Sequence, residues 1–102
     1  MTAPAKAVIL VVDDEPGVRH YLRKCLVGAG YDLIEVANGV EAVEQLRSSP
    51  VDLVILDLVM PERDGFETLG ILRKEYANIK VVAISGRFPE FLHPAELLAA
   101  RV

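Results

Sequence analysis

The run Ala7–Val12 (AVILVV) is wholly apolar, rich in β-branched residues, and stops abruptly at two aspartates, Asp13 and Asp14. Six residues with no alternating polar position suit a strand buried on both faces, and such strands occur where a parallel sheet is covered by helices on each side. Val51–Leu56 and Ile79–Ile84 have similar character, and Tyr31–Ala37 reads as a further strand. Between the runs the apolar spacing changes to that of helices. Pro16 suits a first helical turn, Val18, Leu22, Cys25 and Leu26 form a stripe, and Gly28 with Gly30 supplies a stop. Asn38-Gly39 makes a turn, after which Val40, Val43 and Leu46 give a stripe to a short helix ending before Pro50. A loop through Met60-Pro61 to Gly65 precedes a helix carrying Phe66, Leu69, Leu72 and Tyr76. Ser85-Gly86 ends the last strand, a loop holds Phe88 and Phe91, and Pro94–Val102 begins another apolar-faced helix. Strands alternating with helices at this spacing imply right-handed crossovers and an α/β fold. No linker or low-complexity tract interrupts residues 1–102, which read as one domain.

Composition narrows the function classes. The formal net charge is −4 and the basic residues are dispersed, so the electrostatic footprint needed to neutralise several nucleic-acid phosphates is missing and no direct nucleic-acid contact is expected. Met1–Lys6 lacks the apolar region of a signal peptide, and Ala7–Val12 is too short to span a bilayer, which predicts a cytoplasmic chain that makes no membrane contact. Cys25, the single cysteine, lies within an amphipathic segment and reads as a core residue. His20 and His93 need no special role.

In an open parallel α/β sheet, ligands bind beyond the carboxyl ends of the strands. Asp13 and Asp14 close the first strand, Asp57 the third and Ser85 the fourth, so residues far apart in sequence converge on one rim. Two unit charges 4 Å apart repel by about 4 kcal/mol at an effective dielectric of 20, a large fraction of the stability of a small domain. Clustered carboxylates therefore need a raised pKa or a cation. Hard oxygen donors on one side of a cleft suit Mg²⁺ shared with a phosphoryl group. An aspartate at a strand end is also commonly a turn residue or helix N-cap, a reading open for Asp14 and preferred for Asp52 and Asp64.

These residues resemble the receiver domains of two-component response regulators. The resemblance lies in Ile9–Pro16 (ILVVDDEP), Asp52–Pro61 (DLVILDLVMP) with Asp64-Gly65, and Val81–Gly86 (VVAISG). It implies a flavodoxin-like, doubly wound parallel sheet with strand order 2-1-3-4, the family's fifth strand and last helix falling beyond Val102. It further implies that Asp57 accepts a phosphoryl group from a histidine kinase or histidine phosphotransfer protein. Asp14, Asp57 and the Val59 backbone carbonyl would hold Mg²⁺ directly, and Asp13 through water. Ser85 would be the switch hydroxyl that draws in the loop and helix after it to control output. Such a domain catalyses at most its own phosphotransfer and dephosphorylation. The lysine that the family places after its fifth strand also falls beyond Val102, and neither Lys80 nor Arg87 replaces it by motif. If residues 1–102 are the whole polypeptide, the exposed edge of the fourth strand, or the helix after Pro94, would pair two copies. Val59 cannot hydrogen-bond an attacking water, so a long-lived phosphoryl state is expected.

Rival readings fare less well. Phosphatases of the haloacid dehalogenase type want a second acid two residues after the nucleophile, where this chain has Val59. Neither a P-loop nor a G-x-G-x-x-G follows the first strand. The alternative to weigh is a receiver-like interaction module that phosphorylation does not control, whose partner binding would survive Asp57→Ala.

Overall fold

The computed structural model describes residues 6–58, 60 and 65–84. Its elements run β1 (Val8–Val12), α1 (Pro16–Gly28), β2 (Asp32–Val36), α2 (Gly39–Ser48), β3 (Leu53–Asp57), α3 (Gly65–Glu75) and β4 (Lys80–Ile84). All the strand pairs are parallel, and the sheet order is β2-β1-β3-β4. This is the order of the flavodoxin-like fold. Among the described residues β4 pairs with β3 alone, so its other edge carries no strand. The predicted helix from Pro94 lies outside the described residues.

The uninterrupted apolar runs have the physical cause expected of them. Along β1, Ile9 and Val11 face one core with Val18, Leu22 and Leu26 of α1, while Leu10 and Val12 face a second core with Ala42 and Leu46 of α2 and Leu72 of α3. Each strand residue points opposite to its neighbour, so a strand covered on both faces has no polar position left. Val54, Ile55 and Leu56 of β3 are likewise fully buried.

α1 ends where the glycines indicated. Gly30 takes φ +97°, a backbone conformation that glycine adopts without strain, and the chain closes as a Schellman motif, with Tyr31 N–H donating to Leu26 C=O and Gly30 N–H to Val27 C=O. α2 begins with a reciprocal cap: Asn38 Oδ1 accepts from Glu41 N–H, and Glu41 Oε1 accepts from Ala37 N–H, each at 2.9 Å.

The two short helices are rotated relative to their predicted faces. α2 buries Gly39, Ala42 and Leu46, leaving Val40 exposed and Val43 half-buried; α3 buries Gly65, Thr68 and Leu72, leaving Phe66 exposed. Gly65 explains the second case. A Cβ there would stand 2.2 Å from Asp57 O and 2.2 Å from Leu58 Cα, so the α3 backbone rests directly on the end of β3. That contact turns positions 65, 68 and 72 to the sheet and Phe66 outward, because successive helical residues are about 100° apart. Cys25 is half-buried at the edge of the α1 stripe rather than in the core, and His20 is exposed.

Candidate phosphoacceptor and metal site

The register delivers the acids to one place. Val12 of β1 is paired with Leu56 of β3, so the next residues, Asp13 and Asp57, emerge side by side at the carboxyl ends of the two central strands. One carboxylate oxygen from each of Asp13, Asp14 and Asp57 lies within 4.8 Å of the others. Asp13 is buried, Asp14 half-buried, and Asp57 is 9 % exposed.

Local bonding shows why the first two acids are held there. The N-cap of α1 is Glu15, which makes no side-chain cap bond, and its N–H donates to Asp13 Oδ1 at 2.9 Å. Asp14 is therefore not the cap of this helix; it lies on the bend between β1 and α1. Asp13 continues the sheet through its own N–H, which donates to Val36 C=O at 3.2 Å. Its backbone carbonyl accepts from Arg19 Nη1 at 2.6 Å.

Electrostatics follow from the burial. The Asp13 carboxyl is pushed up from its ordinary 3.8 to about 6, chiefly because burial disfavours the charged form. The Glu15 N–H opposes the shift, and the negative charges of Asp57, Asp14 and Glu15 add to it. A buried acid held up in this way beside two others is a donor set that a divalent cation would relieve. All three side chains offer carboxylate oxygen, the ligand type of Mg²⁺.

Ser85 and Val59 lie outside the described residues, as do Asp64, Arg87, Phe88, Phe91 and His93. Lys80 stands opposite Leu53, at the far end of the strand pair from Asp57, which lies opposite Ile84. Asp52 is a structural acid: its Oδ2 accepts from Val8 N–H at 2.7 Å, while its own N–H donates to Val8 C=O at 2.9 Å. Sequence reasoning missed Arg19 and Arg23 of α1, which both pair with Glu35 of β2. No regular spacing announces such a link.

Comparison with known proteins agrees with the geometry. The family description "response regulator receiver domain" matches residues 9–95. The sensor kinase CckA of Brucella abortus is 43 % identical over 82 residues, covering 78 % of this chain and 9 % of that protein. The response regulator receiver protein CpdR of the same organism is 35 % identical over 86 residues, covering 84 % of this chain and 72 % of CpdR. Among solved structures, the response regulator TrrA of Thermotoga maritima in complex with Mg²⁺-BeF superimposes with a TM-score of 0.75 at 38 % identity, over 84 % of this chain and 76 % of TrrA. TrrA is also known in complex with the histidine kinase ThkA, where it matches with a TM-score of 0.74. The chain spans only 9 % to 32 % of several relatives, among them CckA and the response regulator GtcR of Aneurinibacillus migulanus. The fold, the register that gathers three aspartates and these matches agree: the chain belongs to the response regulator receiver domain family.

Proposed function

We propose that Asp57 is the phosphoacceptor of this receiver domain, and that Asp13, Asp14 and Asp57 hold Mg²⁺ beside it. The observation that carries this is the convergence of three carboxylate oxygens within 4.8 Å at the rim of a parallel sheet. In the reaction, a carboxylate oxygen of Asp57 attacks the phosphorus of a phosphohistidine. A P–O bond forms as the P–N bond breaks, and the electron pair leaves with the imidazole nitrogen. Bound Mg²⁺ would supply positive charge between carboxylate and phosphoryl oxygens. Asp57 is aimed by β3, whose ladder continues past it as Leu58 N–H donates to Ile84 C=O at 2.8 Å. Asp13, the most deeply buried of the three, would hold the metal through water. The Val59 carbonyl would complete the direct donors, and Ser85 would read the phosphoryl group.

TrrA's complexes with Mg²⁺-BeF and with a histidine kinase support the same cation and the same class of donor for this chain. No described helix is long and apolar enough to cross a membrane. Among the described residues the far edge of β4 carries no strand; if residues 1–102 are the whole polypeptide, that edge would pair with a second copy, which sedimentation at high concentration tests: a monomer rejects it.

The test of the central reading is intact mass after incubation with Mg²⁺ and acetyl phosphate. One phosphoryl adduct that requires both Mg²⁺ and Asp57 is expected. An adduct that persists in Asp57→Asn would put the acceptor at another residue and reject this reading; none in the parent chain would favour an interaction module that phosphorylation does not control, or a piece of the domain that needs the family's fifth strand.

A further inference from the structure

Asp13 and Asp14 sit on a turn between β1 and α1, and a turn alone does not fix where two adjacent carboxylates point. Two bonds hold this one, one to a side chain and one to the backbone. Asp13 Oδ1 accepts from Glu15 N–H at 2.9 Å, and the peptide carbonyl between the two aspartates accepts from Arg19 Nη1 at 2.6 Å. A charge-assisted bond of that length is among the stronger ones available to a backbone carbonyl. It fixes the plane of the Asp13–Asp14 peptide and so the direction in which Asp14 leaves the strand. The Arg19 side chain is only 20 % exposed, and its Nε lies 3.8 Å from Glu35 Oε1 of β2. Glu35 also bonds Arg23, one helical turn further along α1. β2 contributes no acid to the cluster, yet through Glu35 and Arg19 it is tied to the residues that do.

We infer that Arg19 is a positioning residue for the metal, holding the Asp13–Asp14 peptide so that both carboxylates face Asp57, with Glu35 and Arg23 setting the direction of its guanidinium. The inference rests on reading the acidic cluster as a Mg²⁺ site. Arg19 bonds the backbone of the ligands and supplies no ligand itself, so its removal should weaken metal binding without removing a donor.

The experiment is Mg²⁺ titration by calorimetry of the full chain, its Arg19→Met, Arg19→Lys and Glu35→Gln variants, and Asp57→Asn, with thermal melts to confirm folding. Loss of a residue that orients metal ligands typically costs 10- to 100-fold in affinity, so about a tenfold weakening is expected for Arg19→Met. Arg19→Lys, which keeps one donor but not the fork, should recover part of it, and Glu35→Gln should lose about threefold. Two further readouts separate positioning from bulk structure. The acetyl phosphate rate of Arg19→Met should fall at low Mg²⁺ and return to the parent value at saturating Mg²⁺. In the metal-free chain, amide exchange at Glu15 should quicken.

A folded Arg19→Met that binds Mg²⁺ within about twofold of the parent overturns the inference, as does a rate deficit that saturating Mg²⁺ leaves in place. Should Arg19→Met not fold, Arg19→Lys and Glu35→Gln decide in its place, and parent-like affinity in both rejects it. If the parent chain itself binds no Mg²⁺, the reading of the acidic site falls first and the inference with it, an outcome distinct from failure of the variants alone.

Discussion

Asp52 and Asp57 bracket the same strand, β3, and the chain uses them in opposite ways. Asp52, exposed at the start, turns its carboxylate onto the Val8 N–H and answers with its own N–H to the Val8 carbonyl, closing the end of the β1–β3 pair. Asp57, at the finish, emerges beside Asp13 and Asp14 so that carboxylates face carboxylates. One end of the sheet sets a single acid against a backbone N–H, whereas the other gathers three carboxylates, where the proposed cation and phosphoryl group would sit. Residue type does not separate the two; strand polarity does, because in a parallel α/β sheet the open rim is at the carboxyl ends.

The sharpest way to break this comparison is to exchange the two acids' fates. Asp57→Asn should abolish the phosphoryl adduct in intact-mass measurement, while Asp52→Asn should leave it intact; loss of the adduct in both would erase the distinction. Next in size is Gly65→Ala, whose Cβ would lie 2.2 Å from the Asp57 carbonyl. Backbone must move, and a loss of about 3 kcal/mol or more in urea unfolding is expected, together with weaker Mg²⁺ binding. A stability loss under about 1 kcal/mol would mean that α3 and β3 have slack at this contact.

Removing the buried charge should have the opposite sign. Asp13→Asn should stabilise the metal-free chain at pH 7 by up to about 3 kcal/mol while weakening Mg²⁺ binding, since about two pKa units separate its folded and ordinary values. The same shift sets a pH dependence. Between 3.8 and about 6 the folded Asp13 carboxyl keeps a proton that the unfolded one has released. Stability of the metal-free chain should therefore rise as pH falls through about 6 and flatten near 3.8, and the contribution should be missing from Asp13→Asn. Urea midpoints taken across that range with a chelator present would show it. Smallest is the stability cost of Asp52→Asn, about 0.5–1.5 kcal/mol, because its bond to Val8 is exposed to solvent.

Much of the fold was legible before any coordinates. Unbroken apolar runs mark strands that helices cover on both sides, and the run Ala7–Val12 followed by two acids located β1 and half of the site together. Gly30 marked the end of α1 because a left-handed residue is needed there. The faces of α2 and α3 were less legible. Val40 and Phe66 were expected in the core, yet Gly39 and Gly65 are buried in their place, and at Gly65 the helix backbone rests on the end of β3. Hydrophobicity reports what gains from burial, whereas a close backbone approach selects for the absence of a side chain and so leaves no apolar signal. The Arg19–Glu35 link was invisible for a related reason: a long polar side chain that reaches across two elements to a carbonyl has no period along the chain.

Gly65 also bears on how stiff the molecule is around Asp57. Where side chains lie between two elements, a displacement of one is partly absorbed by rotamer changes before the other feels it. At Gly65 no such cushion exists, since main chain rests on main chain at the carbonyl of Asp57 itself. The strand and the helix meet there main chain on main chain, so a displacement of the Asp57 backbone would act on α3 with no side chain between. A glycine chosen for lack of space thus makes the helix a lever whose fulcrum is the acid that the site is built around.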